Sequence, residues 1–341
     1  MTDTQWEQLV KVIRGEVIEP LPVGFIIDSP WLPGWNGISI LDYYTSDALW
    51  FAANKNAVER FPECMFLPGF WAEYGMCSET SAFGVKCTFP ANEFPYAGKS
   101  ISTPEEIDSL KKPDVKNDGL LPFMMNRLKL NQKKIEELGH KIRFSVSRGP
   151  LNIASFLMGT TEFLTAMMTD PERIHILLRL ITDFLIEWHA RQKEQFSSID
   201  GILVLDDIIG FIGAEDFKQF GVPYFEAIYQ CERTIKFLHN DARCEASLPF
   251  LPDMGINLFN MGFDTDMETM KTQTRNQITM LGNIPPRDVL ANGNENAVKE
   301  AAAQLLGSLK DRSNVILSCG GGMPPGVPTE NIRAFIRAAQ R

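Results

Sequence analysis

From residue 142 onward the chain repeats one pattern: a short apolar run, an abrupt polar or glycine ending, then a helix-length stretch. The runs are IRFSVSRG (142–149), ILVLDD (202–207), IKFLHND (235–241), INLFN (256–260), ITMLGN (278–283) and VILSCGGG (315–322). They are apolar on both faces, as parallel strands covered by helices are. Helical periodicity fills 171–196, 222–234, 246–254, 265–275 and 294–309, and returns at 329–340. Two more strands, at 22–27 and 64–68, make eight. The expectation is an α/β fold: one (β/α)₈ TIM barrel over 1–341, with an N-terminal helical extension (1–21) in which Trp6, Leu9, Val10 and Ile13 share a face. A doubly wound sheet would also alternate, but it would carry a glycine-rich phosphate loop after its first strand, and GFIIDSP offers none.

The N-terminal half is less regular. Residues 40–60 read as one helix, with further helices at 104–111 and 118–138. Between them, 62–100 is dense in Gly, Pro and aromatics and reads as an irregular excursion, the kind of long loop that is usually functional. Against 33 Lys and Arg stand 43 Asp and Glu, a net charge of −10 with no basic block, which argues against nucleic acid and anionic membranes as partners. No apolar run has the length to span a bilayer, and the opening MTDTQWEQLVKVIRGE is amphipathic rather than a secretory leader. A cytoplasmic protein with its 6 cysteines reduced is expected. The length permits a homodimer, which no feature specifies.

In a barrel, chemistry gathers at the carboxyl ends of the strands. Those ends deliver Arg148, Asp206 and Asp207, His239 and Asp241, Asn260, Asn283, and Cys319 with its glycines to one rim. His239 and Asp241 sit at i and i+2, so both reach one face. With Cys319 they make a candidate zinc trio with an open fourth position; the alternative is a buried free thiol and a hydrogen-bonded imidazole. Asp207 is a candidate acid or base, or a partner for Arg148 across the barrel. Glu79 and Glu73 are candidates that could equally be surface residues. Trp31, Trp71 and Tyr74 belong to a set of loop aromatics suited to a pocket wall or to a cap over the barrel.

At these strand ends the sequence resembles the uroporphyrinogen decarboxylase superfamily. SRGPLNIASFLMG (147–159), DPERIHILLRLITDF (170–184), FGVPYFEAI (220–228), MLGNIPPRDVLANG (280–293) and ILSCGGGMPPGVPTENIRAFIRA (316–338) fall in family order. The resemblance is strong over 140–341 and implies a (β/α)₈ barrel. Decarboxylases of the family resemble one another in an arginine-rich N-terminal stretch that holds the carboxylates of a tetrapyrrole. Here no arginine occurs between Arg14 and Arg60, so an octa-anionic substrate is electrostatically implausible. The other branch contains corrinoid-dependent methyltransferases, whose thiol-methylating members bind zinc through His-x-Cys and a later Cys. The matching positions are His239, Asp241 and Cys319, so the middle ligand departs from the pattern. A carboxylate there would make a harder, more Lewis-acidic zinc suited to an oxygen substrate. The resemblance thus implies a methyltransferase with catalytic Asp207, His239 and Asp241, and with Trp31, Trp71, Tyr74, Glu79 and Arg148 around a small, methoxylated (aryl methyl ether) substrate. The chain lacks the Asp-x-His-x-x-Gly of corrinoid carriers, so the cobalamin would arrive on a separate corrinoid protein. The other readings are methyl transfer from a methylcobamide to a thiol or folate, and a metal-free decarboxylase or lyase acting on a small carboxylate.

Overall fold

The computed structural model describes residues 1–340. Its core is a (β/α)₈ barrel of parallel strands: β1 (Gly24–Ile26), β2 (Met65–Leu67), β5 (Phe144–Arg148), β6 (Gly201–Leu205), β7 (Ile235–Asn240), β8 (Leu258–Met261), β9 (Thr279–Ile284) and β10 (Val315–Cys319). Two short antiparallel strands, β3 (Cys87–Thr88) and β4 (Tyr96–Ala97), form a hairpin outside the barrel. Strands β5 to β10 pair in sequence order, β1 pairs with β2, and a parallel bridge from Val23 to Leu317 joins the two sets. On the open side, Met65 and Leu67 of β2 share one buried cluster with Phe144 and Val146 of β5.

Side chains alternate strictly along these strands, and that alternation decides everything at the rim. Ile26, Leu203, Leu205, Phe237, Leu258, Leu281 and Ile316 fill the barrel interior. Ile202, Val204, Leu238, Phe259, Val315, Leu317 and Cys319 face outward into the layer shared with the helices. The first helix, Asp3–Ile13, starts with a capping box between Thr2 and Gln5 and buries Trp6, Leu9 and Val12 in the interior cluster. Trp6 meets Phe144 edge-on, ring centroids 5.5 Å apart. The extension is therefore the plug of the barrel.

Three expectations are corrected. The stretch 40–60 is two helices, Ile40–Thr45 and Asp47–Arg60, because Ser46 is extended and caps the second by accepting from the Leu49 amide at 3.3 Å. The stretch 246–254 holds only a 3₁₀ turn, Leu248–Phe250, since Pro249 and Pro252 supply no amide hydrogen to a longer helix. Beyond the strand expected at 64–68, the excursion is not wholly irregular: the 3₁₀ helix Thr80–Phe83 and the hairpin lie within it.

Candidate active site

The strand register sets Arg148, Leu205, His239, Asn260, Leu281 and Ile316 in one row, each the partner of the next. The row is the top inward layer of the barrel, and three of its members are polar. Two residues further along their strands, Asp28 follows Ile26, Asp207 follows Leu205 and Asp241 follows His239. These aspartates stand one layer nearer the mouth.

Asp207, His239 and Asp241 each bring a ligand atom to within 4.8 Å of the others. His239 Nε2 lies 3.3 Å from Asp241 Oδ1, and Asp207 Oδ1 accepts from the Asp241 amide at 2.8 Å. The Gly322 amide donates to Asp241 Oδ1 at 3.2 Å. Gly321, at φ +73°, packs so closely that a Cβ on it would overlap the Asp241 carboxylate. Burial disfavours the imidazolium, but Asp241 and Asp207 outweigh it and hold His239 above its ordinary pKa. The crowded environment raises the Asp241 carboxyl, although its side chain is 55% exposed at the mouth; His239 pulls it back and Asp207 adds to the rise. The cluster opens into a cavity of about 530 Å³ lined by Asp28, Pro30, Phe263, Arg287, Gly320 and Met323 among others.

Asp28 was not singled out in the sequence, although its spacing from Gly24 and Ile26 placed it on the inward face. Burial, reinforced by Glu73, pushes its carboxyl up to about 8, while Arg148 and His239 pull the other way. It is thus mainly protonated at neutral pH.

Cys319 does not join this cluster. It sits one residue out of phase with Ile316 and Ser318, so its side chain lies in the outer layer with Val315 and Leu317. Its Sγ is 3.7 Å from the Gly321 carbonyl, and burial pushes the thiol up to about 12. Asp207 is the third side chain that lies close to His239 and Asp241. The same alternation separates Asp206 from Asp207. The Asp206 carboxylate points outward and accepts from the amides of Leu151 (2.9 Å), Asn152 (3.1 Å) and Ile208 (3.2 Å), anchoring the start of the helix Pro150–Met158. Each such amide left buried without an acceptor would cost about 1–3 kcal/mol. Asp206 is therefore structural.

The residues expected to touch substrate are dispersed. Trp31 donates to the Val327 carbonyl at 3.0 Å and stacks on Trp35 at 4.8 Å; Trp71 donates to the Ile27 carbonyl at 3.2 Å within the interior cluster. Both are buried braces outside the cavity lining. Tyr74 lines a separate cavity of about 460 Å³ with Tyr44, Phe89 and Arg127. Glu79 is buried, not on the surface, and its Oε2 has no partner. Burial raises its carboxyl, against the pull of Arg148. Glu73 is buried too and accepts from the Tyr44 hydroxyl at 3.1 Å. Arg148 does not pair with Asp207: its guanidinium makes no hydrogen bond or ion pair among the described residues, though the residue is only 8% exposed.

A family model described as uroporphyrinogen decarboxylase (URO-D) matches residues 4–341. The chain belongs to the uroporphyrinogen decarboxylase family. Among relatives of this family, the uroporphyrinogen decarboxylase of Xylella fastidiosa is 24% identical over 276 residues, covering 76% of each chain. A methylated-thiol–coenzyme M methyltransferase of Methanosarcina mazei is 23% identical over 247 residues, covering 72% of this chain and 65% of its own. The solved structure of a methyltransferase from Methanosarcina mazei shares the fold, with a TM-score of 0.82, 18% identity and 97% of both chains covered. The family thus spans decarboxylases and methyltransferases. No helix among the described residues is long and apolar enough to cross a membrane.

Proposed function

We propose that this member of the family is a methyltransferase. It moves a methyl group between the oxygen of a small methoxylated substrate, an aryl methyl ether, and the cobalamin of a separate corrinoid protein. The observation that carries the reading is the Asp207–His239–Asp241 cluster, open at the barrel mouth with Asp28 on the same cavity wall. When the carbon–oxygen bond breaks, the electron pair stays on oxygen, and the site must stabilise that charge or protonate it.

Two carboxylates and one imidazole form a hard donor set that fits zinc or a similar divalent cation. Asp207, His239 and Asp241 would hold the ion, and when bound it supplies a Lewis acid for the developing oxyanion. Asp28 carries the proton that the departing oxygen takes up. With Asp28 protonated, the cavity lining still sets Asp241 and Asp288 against a single arginine, Arg287, and holds no cluster of cations for a polyanionic tetrapyrrole. The Methanosarcina relative is named for thiol chemistry; a thiol acceptor would suit a softer centre than this one, from which Cys319 is turned away.

We further propose that Arg148, unpaired and buried in the inward row that holds His239 though not in the lining of the cavity itself, gives the substrate its second handle, a carboxylate. Supplied with cob(I)alamin, the protein is expected to consume the cobalt(I) absorbance in step with phenol release. 4-Methoxybenzoate should react at least tenfold faster than anisole. Arg148→Met should cost 4-methoxybenzoate roughly 30- to 150-fold in kcat/KM, the loss of about 2–3 kcal/mol of charged hydrogen bonding, and leave anisole unchanged. Equal rates for the two ethers, or an Arg148→Met variant as fast as the parent, would refute the carboxylate handle. No phenol release from either ether would refute O-demethylation.

A further inference from the structure

Behind the ligand cluster stands a side chain whose two hydrogen bonds leave it no freedom. Asn260 is fully buried on β8. Its Nδ2 donates to the Leu281 carbonyl at 2.7 Å, and its Oδ1 lies 2.7 Å from His239 Nδ1. A carbonyl only accepts, so the Leu281 contact assigns the amide NH₂ to that side. The atom facing His239 is then the amide oxygen, which also only accepts. The proton of this hydrogen bond must be on His239 Nδ1. Nε2 is left to face Asp241 and the cavity.

We propose that Asn260 is a positioning residue: through the Leu281 carbonyl it fixes the His239 tautomer and ring plane, so that the Nε2 lone pair points at the position shared with Asp207 and Asp241. The register supports this, because His239, Asn260 and Leu281 are direct neighbours on three consecutive strands. The relay is thus made by the sheet itself, from side chain to side chain to main chain, and no loop movement alters it. Outer partners of this kind commonly change metal affinity 10- to 100-fold. The inference rests on the reading of His239 as a ligand, but the tautomer can be read without any metal.

The experiment uses the full chain, stripped of metal with a chelator. Nitrogen-15 NMR of labelled histidine, with His239 assigned from a His239→Gln variant, reads which ring nitrogen carries the proton at a pH where the ring is neutral. The expected result is Nδ1–H in the parent protein. Asn260→Ala should release the ring to a mixture rich in the Nε2–H form and weaken zinc binding, by competition with a chromophoric chelator, 10- to 100-fold. Asn260→Asp keeps an acceptor towards His239 and should keep the Nδ1–H form. A parent protein with the proton on Nε2 overturns the proposal, and so does an Asn260→Ala variant with unchanged tautomer and affinity. If Asn260→Ala fails to fold, the parent spectrum and Asn260→Asp still decide it. Loss of zinc binding from all forms, with Nδ1–H retained in the parent, would remove the metal reading and leave the positioning intact.

Discussion

Replacing Asp28 by Asn is expected to slow methyl transfer by about 10²–10³-fold while making the protein more stable. The rate loss follows from removing the proton donor for the departing oxygen, a contribution of that order in general acid catalysis. The pH profile gives the sharper signature. Burial raises the Asp28 carboxyl to about 8 in the metal-free protein; a bound cation would draw that titration lower, and the rate should fall tenfold per pH unit on the alkaline limb that Asp28 sets. That alkaline limb should be missing from Asp28→Asn. The stability gain has the opposite sign for a physical reason. The folded-state pKa lies above the unfolded value, so the stabilisation is fully present only below about pH 4. It is lost between about pH 4 and 8, where the unfolded chain ionises Asp28 and the folded one resists, at up to about 1.4 kcal/mol per pH unit. Asparagine does not ionise, so thermal unfolding at pH 7.5 should shift upward. A variant that is slower but keeps the alkaline limb would exclude Asp28 as the acid.

The second large effect is expected at Gly321. A methyl group there would overlap the Asp241 carboxylate, and its φ of +73° strains any residue with a Cβ. Gly321→Ala should cost about 1–2 kcal/mol in stability and, by displacing a ligand group by about an ångström, about 100-fold in rate. Its neighbour supplies the control. A Cβ on Gly322 meets nothing within 4 Å, so Gly322→Ala should be close to the parent in both respects. Equal behaviour of the two variants would mean that the position of Asp241 does not matter. Steady-state kinetics and denaturant unfolding of the pair decide it.

The barrel was legible because its strands are apolar on both faces and stop abruptly. All eight strand positions, including the short β1 and β2, fall where the apolar runs are. The site was legible only in part, and where the placement differs from the expectation the differences share one cause. Reading the rim as a list of polar strand ends ignores which face each residue occupies. Counting by two from Ile316 puts Cys319 outside, and counting from Leu205 puts Asp207 inside and Asp206 out. The same count from Ile26 reaches Asp28, at the end of the first run; a list of rim residues drawn from the six runs after residue 142 passes over it. The loop aromatics lie outside the cavity lining for a different reason. Trp31 and Trp71 satisfy their indole N–H groups on backbone carbonyls, and which carbonyls a loop brings near is set by tertiary packing rather than by local pattern.

We propose that Asp207, His239 and Asp241, and not Cys319, form a metal centre at the barrel mouth. The most direct measurement is zinc stoichiometry and affinity by chelator competition for the parent protein and for the Asp207→Ala, His239→Ala and Cys319→Ala variants. The expected result is one zinc per chain in the parent and in Cys319→Ala, with binding weakened at least 100-fold in the other two. Zinc lost from Cys319→Ala but kept by Asp207→Ala would contradict it, and would return the thiol to the centre.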